Sequence, residues 1–146
     1  MASLNIRKFV RLAHSSRRRG TELVEAAIVM LLLITLTFAV IEYGWMFFKQ
    51  QQITNATRQG ARVGATPDAT SAQVTSSIST NMSNAGMGSS GYTVTLTPTN
   101  VATVTPGQTF TVRVSVPYAN IGITGMSLFP KPSTLSASMT MSKEGP

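Results

Sequence analysis

The sequence predicts an α+β protein: a long N-terminal α-helix, then a short helix and a small antiparallel β-sheet. Three observations predict it. An uncharged apolar run fills Ala26–Ile41; apolar residues then recur every four positions around Val74, Ile78 and Met82; beyond Gly91 the apolar period becomes two.

The charge of the chain lies at one end. Net charge is +7, yet residues 1–20 hold Arg7, Lys8, Arg11, Arg17, Arg18 and Arg19 with no acid. The remainder carries six basic and five acidic residues. A nucleic-acid-binding domain places its basic excess on a folded face. Here the excess sits on a tail before an apolar run, where it acts as a topology signal, and no nucleic-acid partner is expected. Residues 1–20 read as a basic cytoplasmic leader, either unstructured or forming a weak amphipathic turn with Leu4, Ile6, Phe9, Val10 and Leu12.

The 23 residues Ala26–Phe48 are interrupted only by Glu42. At about 1.5 Å per residue they span roughly 35 Å, enough for a hydrocarbon core of about 30 Å. Tyr43 and Trp45 suit an aromatic belt at the outer end, and Lys49 suits an anchor at the water side. A buried soluble helix is disfavoured because the rest of the chain is too small and polar to cover it. A cleaved secretory signal is disfavoured because Trp45, Met46, Phe47 and Phe48 stand where small residues are required. Six basic residues before the span against Lys49, Arg58 and Arg62 after it place the N-terminus in the cytoplasm and the C-terminal part outside. Membrane lipid is therefore an expected partner, and a single-pass membrane protein with a cytoplasmic N-terminus the expected topology.

Helix formers continue to Ala65, ahead of Pro67. The long helix is expected over residues 21–65, with the domain outside the membrane beginning at residue 66 and folding without it. Ala56, Gly60 and Gly64 fall four apart and form a small-residue stripe suited to close packing with a partner subunit. Asp68 or Thr70 caps a second helix over Ser71–Asn84, and Gly86–Gly91 breaks it. Tyr92/Val94/Leu96, Phe110/Val112/Val114/Val116 and Leu135/Ala137/Met139/Met141 alternate with Ser and Thr, predicting three or four strands packed on the Val74/Ile78/Met82 face.

Residues for catalysis are scarce. The one histidine, His14, lies in the leader, there is no cysteine, and the part beyond residue 65 holds only Asp68 and Glu144 as acids. No acid–base pair, nucleophile constellation or ligand set emerges, so no enzyme activity, cofactor, metal or small-molecule substrate is expected. Asn55-Ala56-Thr57 and Asn81-Met82-Ser83 match the glycosylation pattern, which is short enough to arise by chance. Two carboxylates stand out by position. Glu25 lies at the cytoplasmic edge of the apolar run and Glu42 near its far end. Carboxylates so placed either reach the interface or face a protein partner.

The segment Arg17-Arg18-Arg19-Gly20-Thr21-Glu22-Leu23-Val24-Glu25, followed by the apolar run, resembles the class III (type IV-like) prepilin processing site. Glu42-Tyr43-Gly44 and Asn55-Ala56-Thr57-Arg58-Gln59-Gly60-Ala61-Arg62 are similar to the TadE-like family of pseudopilins, as is the alternation Leu135–Met141. Where many members carry an arginine before the final acid, this chain has Ser142-Lys143-Glu144. The resemblance implies cleavage after Gly20 by a prepilin peptidase, leaving Thr21 as the first residue and Glu25 as the fifth. It implies a minor pilin of a tight-adherence (Flp) pilus, with Glu25 and Glu42 serving subunit assembly and other pilins and assembly proteins as partners. The alternative from another class is a membrane-anchored adhesin that binds through its Thr/Ser-rich sheet.

Overall fold

A computed structural model of the protein describes residues 6–123 and 130–145, with side chains from residue 20 onward. The amphipathic patterning expected of the leader lies outside the described side chains. In chain order the elements are α1 (Ile6–Ala65), α2 (Ser71–Asn84), β1 (Thr93–Thr97), β2 (Thr109–Pro117) and β3 (Thr134–Ser142), with short 3-10 turns at Val101–Thr103 and Tyr118–Asn120. The sheet is an antiparallel meander in the order β1-β2-β3. The α+β class holds, with three strands among the described residues.

Helix α1 begins before the expected Thr21. Between Ile6 and Thr21 no proline interrupts the chain, and the one glycine there, Gly20, costs only about 1 kcal/mol in a helix. The helix stops at Ala65 because Pro67 lacks an N–H and disfavours helical geometry at Thr66. Helix α2 opens on a full capping box, Thr70 with Gln73. It closes on Gly86, whose φ of +67° suits glycine, with Gly86 N–H donating to Ser83 O and Met87 N–H to Met82 O.

The chain divides into two compact units, Met1–Ile41 and Glu42–Pro146. In the first, the large apolar side chains from Leu23 to Ile41 stand exposed. The hydroxyls of Thr35 and Thr37 donate to Leu31 O and Leu33 O, 2.8 Å each, so this helix satisfies its own polar groups as a hydrocarbon setting requires.

The second unit begins at Glu42, not at residue 66, because the end of α1 belongs to its core. Ile53, Ala56, Ala61 and Ala65 of α1 join Val74, Ile78 and Met82 of α2 against Phe110, Val112, Val114 and Val116 of β2 and Leu135 of β3. The opposite sheet face is a field of hydroxyls around a single charge: Thr95, Arg113 and Ser138 stand side by side across the three strands, all exposed.

Helix α1 also closes one sheet edge. The β2–β3 register turns the backbone groups of Ser136 away from β2, and Gln50 Nε2 donates to Ser136 O at 2.9 Å. Further along, Glu144 N–H donates to Ala65 O at 2.8 Å. An uncovered nine-residue, uncharged edge strand would invite pairing with other chains, and α1 stands where such a strand would add.

Candidate functional site

Two groups of residues carry the expectations drawn from the sequence, one on each unit. On the first, Gly20, Glu22 and Glu25 are exposed along α1. A side chain at Gly20 would meet nothing within 4 Å, so its backbone is open to a large partner. Glu22 and Glu25 are three apart and share a helix face at the start of the apolar stretch. Gly20–Thr21 itself lies inside a continuous helix. An enzyme cutting there must first unwind a turn, and a glycine makes that unwinding cheaper.

On the second unit the carboxylate of Glu42 is 4% exposed and is turned inward. It accepts a 2.6 Å hydrogen bond from the hydroxyl of buried Tyr118, which follows β2. Glu42 is thus held by its own chain, by a partner 76 positions away, and does not snorkel to an interface. Burial pushes the Tyr118 phenol well above its usual value near 10, and the hydrogen bond to Glu42 and that residue's negative charge push it further. The neutral phenol is therefore the form the fold selects.

The neighbouring turn of α1 is tied to the same unit. Trp45 Nε1 donates to Ile121 O at 2.7 Å and Tyr43 Oη to Pro130 O at 2.8 Å. Lys49, 7% exposed, donates to Ala85 O near the C-terminus of α2 and lies 4.8 Å over the Trp45 ring. These three side chains act as fasteners of the folded unit, where the sequence pattern suggested an interfacial belt and anchor. The exposed aromatics of this stretch are Phe47 and Phe48.

Ala56, Gly60 and Gly64 are all buried. A Cβ on Gly60 would collide with Ile78, and one on Gly64 would lie 2.7 Å from the Phe110 ring. The small-residue stripe is filled by α2 and β2 of the same chain, which corrects its assignment to a partner subunit. Lys143, a departure in the sequence pattern, is 4% exposed and donates to Gly64 O at 3.3 Å and Ala69 O at 3.4 Å. A cation there neutralises the negative end of α1. Sequence reasoning missed Tyr118 and Lys143 because neither has a local partner.

Replacing Tyr118 with Phe should lower stability by about 2 kcal/mol, since the lost donor served a charged acceptor. The sign with pH follows from the raised phenol. Its contribution is complete below pH 10 and is lost as pH rises above that value, because the unfolded chain releases the proton first. Thermal melts from pH 7 to 11 should therefore show a steeper alkaline fall for wild type than for Tyr118→Phe. Parallel curves would remove the pair from the account.

Together these features define a helix-anchored α+β protein, and its anchor is the one helix among the described residues long and apolar enough to cross a membrane. The family model described as TadE-like protein matches residues 20–62, the segment from Gly20 to Arg62 in which the sequence resemblance is concentrated. The match covers under a third of the chain, and over that segment the chain is similar to a family associated with the Tad pilus. Comparison with curated proteins and with solved structures finds no match.

Proposed function

We propose that this chain is a minor pilin, or pseudopilin, of a tight-adherence pilus or related secretion machine built on a bacterial inner membrane. The observation that carries the reading is the coincidence of the family match with an ordered constellation on one helix: basic leader, Gly20, Glu25 and an exposed apolar stretch. In this reading a prepilin peptidase cuts after Gly20 on the cytoplasmic side. The apolar stretch stays in lipid and the Glu42–Pro146 unit stands outside. Other pilus subunits and assembly proteins are the partners, and Glu25 supplies a counter-charge to one of them at the inner edge of the bilayer. Removing that carboxylate leaves a partner cation unpaired in low dielectric, a loss on the order of 3–5 kcal/mol.

N-terminal sequencing of the protein expressed with its native peptidase tests the reading. The mature chain should begin at Thr21, and Gly20→Leu should leave a species heavier by the leader on a gel. A wild-type chain that keeps its leader in a cell making pili would sink the proposal. An adhesin is the second reading, and the uncharged Thr/Ser face around Arg113 is what favours it. It would require the protein to reach the cell exterior and bind a ligand, whereas a priming subunit stays with the membrane fraction.

A further inference from the structure

Within the folded unit, α1 buries one side and leaves the other bare. Of the Asn55–Arg62 motif, Ala56, Gly60 and Ala61 are buried while Asn55, Arg58 and Arg62 are exposed. Four residues apart, Arg58 and Arg62 stand about 40° apart around the axis, on the same side as Gly44, Phe47 and Gln51. Like charges at this spacing oppose the helix that carries them. Among the described residues neither arginine has an ion pair or hydrogen bond. Phe47 and Phe48 are 65% and 52% exposed, and a side chain at Gly44 beside them would meet nothing within 4 Å. The fold explains the inward half of the motif and gives the outward half no task.

We propose that this side of α1 docks a helix of a different subunit, one with an apolar stretch opposite Phe47 and Phe48 and carboxylates opposite Arg58 and Arg62. The chemistry of the occupant follows from the surface. In sequence, Phe47 and Phe48 follow directly on the apolar run of the anchor, so the occupant's apolar stretch is that of another anchor helix. Gly44 lets its backbone approach closely. From Phe47 to Arg58 and Arg62 is about 16–22 Å along the axis, which sets where the partner's acids lie beyond the end of its apolar stretch. A second copy of this chain, parallel and in register, does not fit. Arginine would face arginine, and α1 carries no acid between Tyr43 and Ala65. That the occupant is a co-assembled pilus subunit rests on the function proposed above; its acidic, apolar and non-identical character rests on the surface alone.

The test is site-specific photo-crosslinking of the full chain in its native cells, with the photoreactive residue at Gln51 and, as a control, at exposed Thr97 on the sheet. The Gln51 adduct should map to an acid-bearing helix of another membrane-anchored subunit, and the Thr97 probe should not capture it. Arg58→Glu with Arg62→Glu should cut the adduct about tenfold or more, since like charges now face each other. Arg58→Lys with Arg62→Lys should keep it, and reversing the partner's acids to arginine should restore it in the glutamate variant. All four positions are exposed, so circular dichroism should be unchanged. An adduct indifferent to charge reversal, an adduct with a second copy of this chain, or none from Gln51 would overturn the proposal. A pilus-subunit adduct that ignores the reversal removes the docking face and keeps the pilus function. A charge-dependent adduct with an anchored protein outside the pilus does the opposite.

Discussion

A fragment starting at Glu42 should fold cooperatively, and one starting at Thr66 should not. Within the unit, α1 provides Ile53, Ala56, Ala61 and Ala65 to the core. Without them the apolar face of the sheet has only the short α2 to cover it, through Val74, Ile78 and Met82. A remaining chain of about 80 residues without disulfides sits at the size where one lost layer removes the whole margin. Other losses act in the same direction. Lys143 would be left without Gly64 O, and Glu144 N–H and Ser136 O would lose their partners on α1. The β3 edge would open to other chains, so the shorter fragment should aggregate as well as fail to melt. Circular dichroism and thermal scans of the two fragments decide the matter. A cooperative transition in the 66–146 fragment would show that the sheet and α2 suffice, and that α1 only leans on them.

Much of this architecture is legible in the sequence because it is written locally. The bounds of α2 follow from its cap, its period of four and the glycines after it, and each strand follows from strict alternation over five to nine residues. The start of the folded unit was not legible, and the reason is physical. Its buried side on α1 is made largely of alanine and glycine, which carry little hydrophobic signal, and no breaker separates it from the apolar run. A uniform helix hides a boundary set by what packs on it. The same stripe looked like a surface for another subunit because small residues mark close approach without saying whose backbone approaches. Glu42 was conspicuous, but Tyr118, its partner, lies in an unremarked turn after β2. The Gly20–Glu25 constellation is different in kind: it is an order of residues along the chain, which the sequence alone displays.

Gly64 is the position where the internal use of that stripe can be tested with most force. Helix propensity alone says that Gly64→Ala should stabilise α1 by about 1 kcal/mol. The packing says otherwise. A Cβ there would lie 2.7 and 2.8 Å from two atoms of the Phe110 ring and 3.1 Å from Val74 Cγ2. Phe110 is itself fully buried, so the ring has nowhere to retreat without moving β2. Overpacking of this kind costs about 1–3 kcal/mol, so the alanine variant should come out near neutral to 2 kcal/mol less stable. Gly64→Leu adds further atoms against the same wall and should leave no folded unit at all. Gly60→Leu should be comparably damaging, because a Cβ there would already collide with Cγ1 and Cδ1 of Ile78, a fully buried and β-branched side chain. The mechanism predicts a coupling: Phe110→Leu, destabilising by itself, should cost less in the Gly64→Ala background, since the smaller side chain yields the space the new methyl needs. If the stripe instead served another subunit, Gly64→Leu would leave the isolated unit's melting temperature unchanged and lower only co-purification with pilus components. A loss of melting confined to the assembled machine, with the unit from Glu42 onward intact, would return these glycines to an intersubunit face.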